Sequence, residues 1–333
     1  LLLAGIPFSV PGETINRLCA SGMSAVIHAH RAIQSDDGEL FIAGGVEHMT
    51  RGPWVISKAS KSFGRDSKME DSSFGWRFIN PKMEGIYGTE GMGQTAENVA
   101  EKYNINRQDQ DAFAARSQKQ ASAAQKNGRF NTEIEFVEIP QKKSEPVKFS
   151  EDEFIKPHTS LDGLEKLRPA FKKDGTVTAG NSSGLNDGAA AMLIASEEGM
   201  NVHGLKPLAR VITSAVVGVE PRIMGMGPVH ASKKALKKAG LTMKDMDVIE
   251  LNEAFAAQSL ACIRELGLED DDPRINLNGG AIALGHPLGM SGTRILQTAA
   301  IELQIKNKKY ALATMCVGVG QGYTVIIENI NNY

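Results

Sequence analysis

The chain has 333 residues, 41% hydrophobic and 23% charged, with a formal net charge of -2 at pH 7. That length supports one large α/β unit or two domains with a sizeable core, and the near-neutral balance excludes the electrostatic footprint of a nucleic-acid binder. No apolar run reaches the roughly 18 residues of a membrane span, and three widely spaced cysteines speak against a disulfide framework or a close-paired zinc site and fit a reducing compartment.

The first informative stretch surrounds Cys19, where the apolar Ile15 and Leu18 give way to Ala20, Ser21 and Gly22. This is the composition of a strand-to-helix elbow. Small side chains let backbone come close at a helix start, whose unpaired N–H groups and dipole favour an anion. A thiol there is expected to have a lowered pKa and more reactive thiolate; the alternative is a buried structural cysteine. Residues 40–43 read as a short buried strand ending in a turn at Gly44-Gly45. From Val46 to Arg168 the composition is polar, with Trp54, Trp76 and Phe78 scattered through it. Helices are expected there at 95–103 and 107–127, the second capped by Asn106 and stopped by Gly128. An extended edge segment follows at 132–139, before Pro140.

Regularity returns at Thr176. Residues 188–195 have the composition of a buried strand, and 210–219 of another. An amphipathic helix spans 230–239 with Gly240 as its stop. A strand at 247–251 leads into Asn252, a helix covers 254–266, and another begins near Ser291. Strands at 310–316 and 323–328 are joined by a glycine turn. Strands alternating with helices predict an α/β fold whose mostly parallel or mixed sheet carries helices on both faces.

His286 stands between Gly285 and Gly289, and its imidazole titrates near working pH. Flanking glycines let a substrate approach the backbone, which suits a general base; the alternative is a core histidine. Cys316 precedes Gly318, Gly320 and Gly322, as a second reactive thiol or a strand-end core cysteine. Cys262 shares a helix stripe with Phe255, Ser259 and Leu266 and reads as packing. Asn252 reads equally well as a helix N-cap. Neither a Walker A lysine loop nor a G-x-G-x-x-G is present.

Four stretches in order carry a resemblance: Asn16 to Ala25 around Cys19, Asn252-Glu253-Ala254-Phe255-Ala256, Asn278 to Gly292 around His286, and Cys316 to Gly322. Together they resemble the thiolases, the acyl-CoA C-acyltransferases, over nearly the whole chain. The resemblance implies two duplicated mixed-sheet half-domains packed around central helices, with an inserted loop domain. On that pattern 1–45 and 186–200 form the N-terminal half, 46–185 the loop domain, and 201–333 the C-terminal half. It also implies that the first strands, and any targeting peptide, lie ahead of Leu1.

The activity implied is CoA-dependent cleavage of a 3-ketoacyl-CoA, or the reverse condensation. Cys19 would be the nucleophile, His286 the base and Cys316 the second acid and base. Asn252 would hold a water at the enolate oxygen, and the backbone N–H groups of Cys19 and Gly318 would form an oxyanion hole. The stretch from Thr178 to Gly188 matches the family's pantetheine lining, which puts Ala179, Ser183 and Phe171 at CoA contacts and Lys156 near the nucleotide phosphates. Met92, Met224 and Phe255 would line the acyl pocket. Met290 and Gly91 depart from residues common in the family and bear on that pocket. Residues 75–83 resemble an element of thiolases acting on 3-oxoadipyl-CoA, whose terminal carboxylate Arg77 or Lys82 would meet, unless both are solvated surface charges. CoA enters as substrate, no cofactor is permanently bound, and no metal is implied. A homodimer or homotetramer in the cytoplasm is expected. The rivals are a decarboxylating ketoacyl synthase, which needs no second cysteine, and a silent acyl-CoA-binding relative.

Overall fold

The computed structural model describes residues 1–73 and 75–330, so the last three residues of the C-terminal half lie outside it. A 3-10 turn, Leu18–Ala20, runs straight into helix α1, Ser21–Gln34, and strand β1, Leu40–His48, follows. The polar region holds two short hairpins, β2 (Trp54–Ile56) with β3 (Met69–Asp71) and β4 (Val137–Ile139) with β5 (Val147–Phe149). Its helices are α2 (Pro81–Tyr87), α3 (Met92–Lys102), α4 (Arg107–Lys126) and α5 (Leu161–Glu165). Then come β6 (Asp187–Ala195), α6 (Glu197–His203), β7 (Arg210–Gly218) and α7 (Gly227–Ala239). The chain closes with β8 (Val248–Leu251), α8 (Ala256–Glu265), α9 (Ala281–Leu284), α10 (Leu288–Lys306), β9 (Tyr310–Val317) and β10 (Gln321–Glu328).

Two sheets enclose a helical layer. The larger has the order β7-β10-β9-β8, antiparallel except for the parallel pair β8–β9, so the sheet is mixed as expected. The smaller is the antiparallel pair β1–β6. Helices α1 and α10 lie between them: Met23, Val26 and Ile27 meet Ile295, Leu296 and Leu303 and the inward residues Ala311, Ala313 and Met315 of β9. The opposite face of the large sheet is covered by α7 and α8, with α3 and α4 behind, through Val229, Leu236, Leu260 and Ile263 on Ile249, Leu312 and Ile326. Covered on both faces, β8, β9 and β10 are apolar almost throughout.

Local chemistry set several boundaries. Asn106 caps α4 by accepting from the Asp109 N–H, and Gly128 and Gly240 take left-handed φ of 76° and 68° just past helix ends. Three expectations need correction. Segment 132–139 is a turn and a three-residue strand, because β4 pairs only with the short β5. The strands at 40–43 and 188–195 are not buried: Ile42, Val46 and Leu193 are exposed, since helices cover one face of this sheet and Ala and Gly suit either environment. Gly44-Gly45 is not a turn either. β1 runs through both glycines to His48, and a side chain on Gly45 would collide with the Gly289 carbonyl of α10. Gly45 serves close approach of a helix, and Gly44 that of the neighbouring strand β6, rather than reversal.

The same logic governs the crossing of α1 and α10. A Cβ on Gly22 would lie 2.7 Å from the Gly289 carbonyl oxygen, and one on Gly292 would lie 2.6 Å from the Met23 nitrogen. Gly292→Ala must therefore push the two helices apart, and is expected to cost about 1–3 kcal/mol. Urea unfolding checks this against Gly85→Ala, where nothing lies within 4 Å and helix propensity favours alanine. Equal midpoints for the two variants would show that the crossing tolerates a methyl group.

Candidate active site

Cys19 sits in the turn ahead of α1, packed against the start of α10 and the end of β9. Leu18 before it has φ of 49°, a strained conformation for a branched side chain. Short bonds hold that turn. The Leu18 N–H donates to Asn16 Oδ1 (2.9 Å), the Arg17 N–H to Ser21 Oγ (2.9 Å), and the Ser21 hydroxyl to the Leu18 carbonyl (2.7 Å). The Arg17 guanidinium reaches Ser24 Oγ and Gln321 Oε1, both at 2.9 Å, which ties the turn to β10. Cys19 is 8% exposed.

The expected fall in its pKa is not what this environment produces. Burial pushes the Cys19 thiol up, and Glu47, whose carboxylate accepts from the Gly289 N–H at the start of α10, adds to the rise. The backbone N–H groups of Gly318 and of Cys19 itself pull the other way without overcoming burial. The enclosure that keeps water out also penalises the thiolate. The resting group is a thiol and needs a base.

His286 lies in the loop between α9 and α10, 5% exposed. Its Nδ1 is 2.7 Å from Ser291 Oγ, and the Ser291 hydroxyl donates to the Pro287 carbonyl at 2.9 Å. With its own proton so placed, Ser291 accepts from Nδ1–H. That leaves the lone pair on Nε2, where Asn252 Nδ2 approaches to 3.3 Å. Burial, with Arg294 second, pushes His286 down to about 4, so the imidazole is neutral at ordinary pH and able to take a proton. Asn252 is fully buried, and its N–H donates to the Thr314 carbonyl of β9 at 3.0 Å. Its role as a helix N-cap is not adopted: α8 starts at Ala256, and Phe255 takes the cap position.

The His286 loop is braced by a residue that the sequence reading passed over. Glu253 is buried and accepts from Ser117 Oγ (2.6 Å), Asn276 Nδ2 (2.7 Å) and the Ile282 N–H (3.2 Å) at the start of α9. Its carboxyl occupies the space that a side chain on Gly280 would need. Asn186 likewise fills the place of a side chain on Gly285, which has φ of 91°. In the sequence Glu253 showed only as a member of the Asn252 to Ala256 stretch, with no role, because Ser117 and Asn276 are far away in sequence.

Cys316, near the end of β9, is 1% exposed, and burial together with the nearby Cys19 raises its pKa well above the ordinary thiol value. Met224 and Ala254 pack with it, and Met92 and Phe255 join them, so the expected acyl-pocket residues gather around the second thiol. Gly318 follows in the β9–β10 turn; a side chain there would sit 3.3 Å from Leu18 Cδ1 and 3.8 Å from Met92 Sδ. Cys262 is elsewhere, with its thiol donating to the Gly225 carbonyl at 3.2 Å and its pKa pushed up to about 12 by burial. It is a packing residue.

The expected CoA stretch lies against this cluster. The Ser183 N–H donates to the Ala254 carbonyl at 3.0 Å, and the Ala256 N–H to Asn181 O at 2.9 Å. Phe171 stands edge-on to Phe255 with ring centroids 6.1 Å apart, and covers Gly93. Ser183 is half-buried, whereas Ala179, Phe171 and Lys156 are exposed. The Lys156 ammonium lies 4.8 Å from the Phe154 ring centre, and that ring in turn covers Gly184. Lys156 and Lys119 share an open cleft of about 340 Å³ with Ser122 and Thr159. Of the candidate carboxylate partners, Arg77 donates to the Gly75 carbonyl at 2.7 Å and bears on Asp71, and Lys82 lies in the exposed first turn of α2.

Comparison with known proteins agrees across the chain. Residues 1–198 match the family description "Thiolase, N-terminal domain" and residues 205–329 match "Thiolase, C-terminal domain". A beta-ketoadipyl-CoA thiolase of Acinetobacter baylyi is 56% identical over 329 residues, covering 99% of this chain and 82% of the relative. A 3-oxoadipyl-CoA/3-oxo-5,6-dehydrosuberyl-CoA thiolase of Escherichia coli is 54% identical with the same coverage. The crystal structure of human mitochondrial 3-ketoacyl-CoA thiolase in complex with CoA superimposes with a TM-score of 0.89 at 45% identity, covering 98% of this chain and 80% of that one.

Proposed function

This chain belongs to the thiolase family and is an acyltransferase, and from that premise we propose that Cys19, His286, Cys316 and Asn252 carry its reaction. The Cys19 sulfur attacks the keto carbon of a 3-ketoacyl-CoA as His286 Nε2 takes the thiol proton. The Gly318 and Cys19 backbone N–H groups stabilise the oxyanion. The bond between C2 and C3 breaks, the acyl group stays on Cys19, and the electron pair leaves as the enolate of acetyl-CoA. Cys316 gives that enolate its proton, with Asn252 and His286 at the enolate oxygen. Cys316 then takes the proton of an incoming CoA thiol, whose sulfur attacks the acyl-enzyme. His286 returns the first proton to Cys19.

One observation carries this reading: a neutral His286, oriented by Ser291, has its Nε2 3.3 Å from Asn252 Nδ2 in the loop that leads into α10, and α10 packs on the turn that holds Cys19. CoA is assigned to the stretch holding Ala179 and Ser183, beside Phe171, with Lys156 and Lys119 toward its phosphates; the support is the Ser183 bond to Ala254 and the Phe171–Phe255 contact for the stretch, and the cleft that Lys156 and Lys119 line for the phosphates. The acyl group is assigned as one ending in a carboxylate, as the names of the Acinetobacter and Escherichia coli relatives suggest. A homodimer or homotetramer fits the exposed apolar face of the β1–β6 sheet, and three free cysteines support the reducing cytoplasm. No helix among the described residues is long and apolar enough to cross a membrane.

Incubation with acetyl-CoA followed by peptide mass mapping tests the assignment. The acetyl group is expected on Cys19. Acetyl found on Cys316 or Cys262 instead would overturn it.

A further inference from the structure

We propose that Arg222 recognises the terminal carboxylate of the acyl chain, with Glu90 holding the guanidinium in position until substrate arrives. This rests on the reading of the substrate as a 3-ketoacyl-CoA ending in a carboxylate. Arg222 belongs to the turn Pro221–Met226, two residues ahead of Met224, and Glu90 stands two residues ahead of Met92. Met92 and Met224 are among the side chains packed around Cys316, with Ala254 and Phe255. The Arg222–Glu90 pair therefore joins the two segments that form the acyl wall.

The pair displays what Arg222 is built to bind. Its Nε lies 3.1 and 3.2 Å from the two Glu90 oxygens, and its Nη2 makes a further short bond to Oε1, the fork that guanidinium offers to any carboxylate. Asn98 Nδ2 holds the Glu90 carboxylate at 3.0 Å and also donates to the Arg222 carbonyl at 3.0 Å. Glu90 is thus anchored without help from the guanidinium. The Arg222 side chain is 56% exposed and that of Glu90 21%, so the cation is the partner free to turn. The guanidinium stands largely in solvent, where screening weakens its attraction to Glu90 and a second carboxylate can compete for it.

Two other arginines are committed, and Lys82 stands exposed in the first turn of α2. Arg77 is turned to its own hairpin, and Arg17 is held by Ser24, Gln321 and the Tyr323 ring. The span needed is short. Once C3 is bonded to Cys19, a six-carbon chain has three further carbon–carbon bonds of about 1.5 Å each before its carboxylate ends. The receiving group must then stand close to the pocket wall, and Arg222 lies two residues from the wall residue Met224.

The test compares kcat/KM for 3-oxoadipyl-CoA with that for 3-oxohexanoyl-CoA, which has the same chain length and a methyl end. The ratio is expected to favour the carboxylate in the parent enzyme and to fall roughly 10- to 150-fold in Arg222→Gln, the loss of hydrogen bonds to a charged group. Arg222→Lys should give an intermediate ratio. Glu90→Gln keeps the size of the anchor and releases the guanidinium, so its ratio should stay at or above that of the parent. A parent ratio near one would sink the substrate reading and this assignment together. A high parent ratio that survives in Arg222→Gln would sink the assignment alone. So would loss of both activities in step, which marks a structural clasp, or a collapsed ratio in Glu90→Gln.

Discussion

Cys316→Ala is expected to separate the two halves of the reaction. Thiolysis of acetoacetyl-CoA should fall roughly 10²- to 10⁴-fold, the range for loss of a positioned acid and base. Acetylation of Cys19 by acetyl-CoA should persist at a reduced rate, because that step uses His286. Exchange of the acetyl-CoA α-protons with solvent should nearly vanish. The reason is the state of the sulfur. Burial and the neighbouring Cys19 raise the Cys316 pKa well above the ordinary thiol value, so at rest it holds a proton to give. After giving it, the thiolate is a strong base in a dry pocket, able to take the proton of an incoming CoA thiol. NMR in deuterated solvent follows the exchange, and intact mass follows the acetyl group. Thiolysis close to the parent rate would reduce Cys316 to a core residue and reopen the decarboxylating synthase.

His286→Ala is expected to do the converse. Acetylation of Cys19 should drop roughly 10²- to 10⁴-fold, and the residual rate should rise with pH as the thiolate forms directly. The parent enzyme should behave differently on the acid side. Because His286 is pushed down to about 4, its neutral form persists well below the ordinary imidazole pKa of about 6.5. The acid limb of acylation should therefore lie near pH 4 and not near 6.5. Stability follows the same direction. The folded pKa is depressed, so the contribution of His286 is fully present above pH 6.5. It is lost as pH falls toward 4, where the unfolded chain binds a proton that the folded chain resists. Urea midpoints across that window should fall less steeply in His286→Ala than in the parent. An acid limb at about 6.5 in the parent enzyme would mean that the imidazole is solvated and titrates as an ordinary histidine.

How much of this was legible before folding divides along one line. Asn106, Gly128 and Gly240 gave their helix ends away because a cap is local chemistry between residues three or four apart. The Cys19, Asn252, His286 and Cys316 stretches stood out because together, in order, they resemble one family, and the roles proposed for them rest on that resemblance. The mixed α/β class followed from apolar runs alternating with amphipathic ones.

The sequence by itself determined the family pattern, the candidate reactive residues and where many elements start and stop. Only the tertiary structure decided what those groups are like. Cys19 was expected to be acidic from its helix start, and enclosure by α10 and β9 reversed the direction. Gly44 and Gly45 read as a turn until α10 was seen lying across the strand. Glu253 became the brace of the His286 loop through Ser117 and Asn276, and Arg222 met Glu90 across 132 positions. Desolvation, close approach and long-range pairing depend on which surfaces meet, and a one-dimensional pattern records only what each segment prefers before it meets them.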